Sequence, residues 1–196
     1  MICEVYDDIF DARYLHEFFD DFVSVQGYNI TNVANRKTQP YGNTGSHRLL
    51  GKQIFARGNV NDIEDIDLDG YIKCMRMYNM IERVIGESLY LQNISVNIQP
   101  CGIDGTVHID SHHDDEFTIL VMTNPEWKKE WGPASFQLLE KYENDAPVIE
   151  EHEYVPGKVL LIPSMHPHRG IAPTKPYIYR SSVIFRVTPN FARYCP

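Results

Sequence analysis

Residues 106 to 117 read TVHIDSHHDDEF, three histidines and four acids within twelve positions. His108 and Asp110 stand two apart. On an extended chain alternate side chains share a face, so these two project to the same side. An imidazole nitrogen beside a carboxylate oxygen suits a divalent metal, but two ligands do not close a site. A third must come from elsewhere. Downstream, LLIPSMHPHRGIAP (160–173) offers His166 and His168, again two apart. Pro167 removes a backbone donor between them and biases His166 toward an extended turn, so His168 is the expected ligand.

Two histidines and one carboxylate form the facial triad of non-haem Fe(II) oxygenases, which leaves three positions of an octahedral iron open. Each piece has a plainer reading, since most histidines are surface or hydrogen-bonded residues. Their order along the chain adds weight: His-x-Asp, several strands, a histidine, then a basic residue. Arg180 lies twelve after His168 in YRSSVIFRV, with Ser182 on the same face. A guanidinium fork beside a hydroxyl matches a carboxylate. A metal at one end and Arg180 at the other suit a dicarboxylate that chelates through a 2-oxo acid group, as 2-oxoglutarate does. The plainer reading of Arg180 is a surface arginine on an edge strand.

The chain has 196 residues, 43% of them hydrophobic and 12% aromatic, which fits one soluble domain with a real core. Its net charge of −9 argues against a general nucleic-acid or anionic-membrane binder. The cysteines (Cys3, Cys74, Cys101, Cys195) form no CxxC pair, so neither a zinc knuckle nor a disulfide framework is implied. No apolar run approaches a membrane span and no signal-peptide pattern opens the chain, so the expectation is cytoplasmic. Oligomeric state stays open.

The elements that must position these residues fall into two parts of a single domain spanning 1–196. Residues 1–91 read as mainly helical. A helix is expected over 11–22, with Asp11 as N-cap and Leu15, Phe18, Phe19 and Phe22 on one stripe. A second is expected over 67–90, with Tyr71, Met75, Tyr78, Ile81 and Ile85 facing the core and Gly86 near its end. Residues 35–62 read as long loops with one short strand, and Tyr41, His47 and Arg48 there are candidates for a lid. From 92 to 190, seven or eight short apolar runs punctuated by Gly, Pro and Asn indicate an antiparallel barrel.

On these residues the sequence resembles the Fe(II)- and 2-oxoglutarate-dependent dioxygenases, on the prolyl-4-hydroxylase-like side. HID (108–110) and His168 match the iron motif. TILVMTNPEWKKEWGPAS (118–135) is similar to the family's segment with Asn, Trp and Gly-Gly, here Asn124, Trp127 and Gly132-Pro133. HRGIAPTKPYIYRSS matches its His…Pro…Arg-x-Ser ending. The resemblance implies a mainly β double-stranded β-helix (a jelly roll, cupin-like) with N-terminal helices packed on it. It implies His108, Asp110 and His168 as metal ligands and catalytic centre, and Arg180 and Ser182 as the 2-oxoglutarate anchor. It also implies Fe(II), 2-oxoglutarate and O2, with ascorbate a candidate addition. The activity implied is hydroxylation of a C–H bond, with a peptide or protein side chain such as proline, or a small molecule, as substrate.

The family often has a tyrosine that reaches the cosubstrate from the strand before His-x-Asp. Here Ile98 and Gln99 stand near that place, which leaves the contact to another residue. His112 and His113 read as loop residues first and substrate contacts second. Two other readings stay open. Asn97 and the six-residue spacing of Arg180 and Arg186 look like the AlkB-type nucleic-acid demethylases. A cupin-like barrel without oxygenase chemistry could use Glu116 as a further ligand, but has no need of Arg180-x-Ser182.

Overall fold

The computed structural model describes residues 2–31, 49–57 and 67–189. Tyr41, His47 and Arg48 lie outside the described residues. Ten strands and two α-helices occur among the described ones: β1 (Glu4–Tyr6), α1 (Ala12–Phe18), β2 (Asn29–Thr31), β3 (Leu49–Ala56), α2 (Leu68–Ile85), β4 (Leu89–Pro100), β5 (Phe117–Met122), β6 (Ser135–Leu139), β7 (Val148–Glu153), β8 (Val159–Pro163), β9 (His168–Ile171) and β10 (Tyr179–Pro189). The N-terminal part is therefore not only helical. It contributes β1, β2 and β3 to the larger of two antiparallel sheets, whose order is β1-β8-β5-β10-β4-β3-β2. The smaller sheet runs β7-β6-β9.

The helices begin and end where the residue chemistry places them. Asp11 accepts a hydrogen bond from the Tyr14 amide at 2.7 Å, satisfying a donor that the first turn of α1 leaves open. α1 runs directly into a π-helical turn, Phe19–Val23, which turns Phe22 and Val23 into the core. Asp67 caps α2 by accepting from the Gly70 amide at 3.0 Å. Gly86 ends α2 in the left-handed conformation, at φ 77°. The helix therefore stops at Ile85, and the LeuTyr expected as its tail opens β4 instead.

Alternation on the central strands separates two environments. Val183, Phe185 and Val187 of β10, with Ile94, Val96 and Ile98 of β4, face the helices and pack with Phe22, Met77, Tyr78 and Ile81. Burying side chains of this size stabilises the fold by about 1.5–3 kcal/mol each. The intervening residues of β10 and β4, among them Arg180, Ser182, Asn97 and Gln99, face the smaller sheet and line a cavity. A second apolar cluster, built around Met122, Phe136, Leu138, Leu160 and Ile162, closes one end between the sheets. Among the described residues no helix is long and apolar enough to cross a membrane.

Candidate metal centre and anion pocket

His108 and His168 are backbone partners. Each amide donates to the other's carbonyl, at 3.0 and 2.9 Å, in a single β-bridge at the head of β9. That pairing sets the two rings side by side, their centroids 4.3 Å apart. The Nδ1 atoms of His108 and His168 lie 3.0 Å from the Thr106 carbonyl and 2.8 Å from the His166 carbonyl. A carbonyl only accepts, so each Nδ1 carries a proton, and in the neutral form of that tautomer the lone pair is on Nε2. Both Nε2 atoms are on the Asp110 side, at 3.7 Å from Oδ1 for His108 and 3.5 Å from Oδ2 for His168. The three ligand atoms lie within 4.8 Å of one another, and no other such group occurs among the described residues.

Asp110 is fixed by residues the sequence did not advertise. Thr118 Oγ1 donates to Asp110 Oδ2 at 2.7 Å and also bonds Ser164 Oγ at 2.8 Å. The Asp110 amide donates to the Ser164 carbonyl, and Arg186 Nη1 donates to the Asp110 carbonyl at 2.9 Å. Burial pushes the Asp110 carboxyl up, but the two imidazoles, the Thr118 bond and Arg186 outweigh it and hold it below its usual range. Burial pulls the His168 imidazole down to about 4, with His108 adding to that and Asp110 opposing it. An ionised carboxylate beside neutral imidazoles is the protonation state in which all three donate to a cation.

His166 sits in the turn before β9, its amide bonded to the Pro163 carbonyl, and is not part of the cluster. His112 and His113 are exposed, and Glu116 is also outside the cluster.

The same cavity reaches Arg180, with Leu120, Phe136, Gly170 and Ser182 on its walls. Arg180 is only 9% exposed. Its Nε donates to Gln99 Oε1 and its Nη1 to the Ser135 carbonyl, both at 2.6 Å. These acceptors are neutral. Among the described residues no carboxylate lies within ion-pair distance of this guanidinium. Burial pulls its pKa down to about 10, with Tyr154 and Asp104 opposing, so it stays a cation at neutral pH. A buried, unpaired cation is costly unless an anion joins it. Gly170 makes room for it: a Cβ there would lie 1.7 Å from Arg180 Nη2. The backbone on both sides of Arg180 is held by Asn124. Its Oδ1 accepts from the Ser181 amide at 2.7 Å and the Tyr154 hydroxyl at 2.6 Å, and its Nδ2 donates to the Tyr179 carbonyl.

No protein-family model and no curated protein matches the chain. Solved structures do. A prolyl-4-hydroxylase from Pseudomonas putida aligns over 96% of this chain and 93% of its own, at 12% identity and a TM-score of 0.59. A prolyl hydroxylase from Trichoplax adhaerens, solved with a hypoxia-inducible-factor peptide, aligns over 98% and 86%, at 14% identity and a TM-score of 0.62. The α-ketoglutarate-dependent epimerase SnoN from nogalamycin biosynthesis aligns over 96% and 78%, at 11% identity and a TM-score of 0.63. The chain has the fold of the Fe(II)- and 2-oxoglutarate-dependent oxygenases. In this double-stranded β-helix, His108 and Asp110 lie on the segment that bridges to β9, His168 opens β9, and Arg180 lies on β10.

Proposed function

We propose that this protein is an Fe(II)- and 2-oxoglutarate-dependent oxygenase that hydroxylates a C–H bond, with a peptide or protein side chain, proline first, as its substrate. One observation carries the reading: a His-Asp-His cluster and a buried, charge-uncompensated arginine line one and the same cavity. His108, Asp110 and His168 would hold the iron on one face. Arg180 would take the distal carboxylate of the 2-oxo acid through its η nitrogens, with Ser182 beside it. The neutral partners of Arg180 and the space at Gly170 fit an anionic cosubstrate there.

Iron with 2-oxoglutarate and dioxygen supplies an oxidant for a C–H bond and releases succinate and CO2. The chain orients and shelters that chemistry. The Nδ1 bonds of His108 and His168 fix both ring planes, and Thr118 fixes the Asp110 carboxylate. Leu120 and Phe136 give the cavity apolar walls that keep water from its interior.

The likeness to SnoN supports oxidation of a small molecule as the second reading. The nucleic-acid demethylase reading loses one of its supports, because Arg186 bonds the Asp110 carbonyl and does not line the cavity. Titrating the anaerobic Fe(II) protein with 2-oxoglutarate tests the proposal. A visible charge-transfer band and, in air, succinate formation stimulated by a proline-rich peptide are expected. A metal-binding barrel of the cupin kind would give no band with 2-oxoglutarate.

A further inference from the structure

Gln99 stands near the place of the missing tyrosine, and its amide contacts Arg180, Ile103 and Gly170. It pairs directly with Arg180 across β4 and β10, and both side chains are buried. Its Oε1 accepts from Arg180 Nε at 2.6 Å. Its Nε2 donates to the Ile103 carbonyl at 2.7 Å and to the Gly170 carbonyl at 3.0 Å. The amide cannot flip. Reversed, its NH2 would face the Arg180 N–H and its oxygen would face two carbonyl oxygens.

We infer that Gln99 is a positioning residue that sets where the Arg180 guanidinium sits and thereby selects for a 2-oxo acid with a second carboxylate. This rests on the oxygenase reading above. The argument is electrostatic as well as geometric. Gln99 and the Ser135 carbonyl fix Nε and Nη1 with neutral acceptors, so the guanidinium is oriented while its charge stays uncancelled. Nη2 is free of both contacts and lies over Gly170. A carboxylate at position 99 would orient the fork equally well but would neutralise it, and would meet the Ile103 and Gly170 carbonyls. A tyrosine hydroxyl, as a direct ligand of the distal carboxylate, would share the anion with the arginine. Here Gln99 has no donor left over for the ligand, so it acts through Arg180.

The test uses the full-length, Fe(II)-loaded protein without oxygen and measures binding by calorimetry. Its ligands are 2-oxoglutarate and 2-oxovalerate, the latter having the same chain length but no distal carboxylate. In Gln99→Met, 2-oxoglutarate should bind about ten- to a hundredfold more weakly, the loss expected for a hydrogen bond to a charged group, and in Gln99→Glu, which keeps that bond but cancels the charge, at least as weakly. Binding of 2-oxovalerate and iron stoichiometry should not change, so the ratio of the two affinities falls. Equal weakening of both ligands would show general loosening of the pocket and overturn the proposal. Unchanged 2-oxoglutarate binding in both variants would overturn it as well. If the wild-type protein binds neither ligand, the oxygenase reading itself fails, and this inference with it.

Discussion

Replacing Gly170 by alanine probes the anion pocket with one methyl group. The glycine has ordinary backbone torsions, so the cost lies entirely in its neighbours. The new Cβ would stand 1.7 Å from Arg180 Nη2, and 2.8 Å from both Arg180 Cζ and Gln99 Oε1. Normal contact requires about 3.5 Å, so the guanidinium must retreat by roughly 2 Å. A hydrogen bond does not survive such a shift. The bonds to Gln99 and the Ser135 carbonyl are both lost, each about 1.5–3 kcal/mol when the donor is charged. At the lower end this totals about 3 kcal/mol, or roughly a hundredfold in affinity. Calorimetry on the anaerobic Fe(II) protein should show that loss for 2-oxoglutarate, while iron stoichiometry stays at the wild-type value. If Gly170→Ala binds 2-oxoglutarate within about threefold of wild type, some other group holds the cosubstrate.

Three further outcomes are expected. His168→Ala should abolish succinate formation at saturating Fe(II), while His166→Ala should retain most of it; the reverse pattern would refute the ligand assignment. Asn124→Ala leaves the Ser181 amide and the Tyr154 hydroxyl without their buried acceptor. It should lower unfolding free energy by about 2–3 kcal/mol in denaturant titration, and a loss under about 0.5 kcal/mol would refute the role given to this network. Asp67 is held below its usual range by hydrogen bonding from Lys52 and the Gly70 amide. Its contribution is therefore present above the unfolded carboxylate pKa and lost as pH falls through the folded one. Asp67→Asn should be the less stable protein at neutral pH, with the gap closing in acid. A gap that persists in strong acid would assign the difference to capping alone.

Local signals served the sequence well. The Asp11 cap, the glycine near the end of the second helix and the His-x-Asp spacing each depend on residues within one turn or two positions, where short-range geometry decides the outcome. The choice of His168 over His166 rests on a local signal of the same kind, since Pro167 bears on both. What stayed hidden was non-local. Thr118, Ser164, Ser135 and Gly170 reach the site through strand register, and nothing in their own segments marks them. A threonine opening the apolar run ILVM was the one faint signal. The strands β1 and β2 have three residues each, too few for alternation to be read. In the sequence Gln99 is only a departure from the family's pattern, because its meaning depends on a partner 81 residues away.

The place of β10 in the larger sheet also bears on how the protein is made. The last of the ten strands among the described residues is the middle one of seven in its sheet, seated between β5 and β4. During synthesis those two strands emerge with facing edges unpaired and wait for more than fifty residues before their shared neighbour arrives. Until then Arg180 is absent, and His108 has met its partner strand without the sheet that backs it. Metal capture is thus expected only once translation has passed β10. A nascent chain arrested before Tyr179 should fail to retain iron and should be the species on which chaperones act.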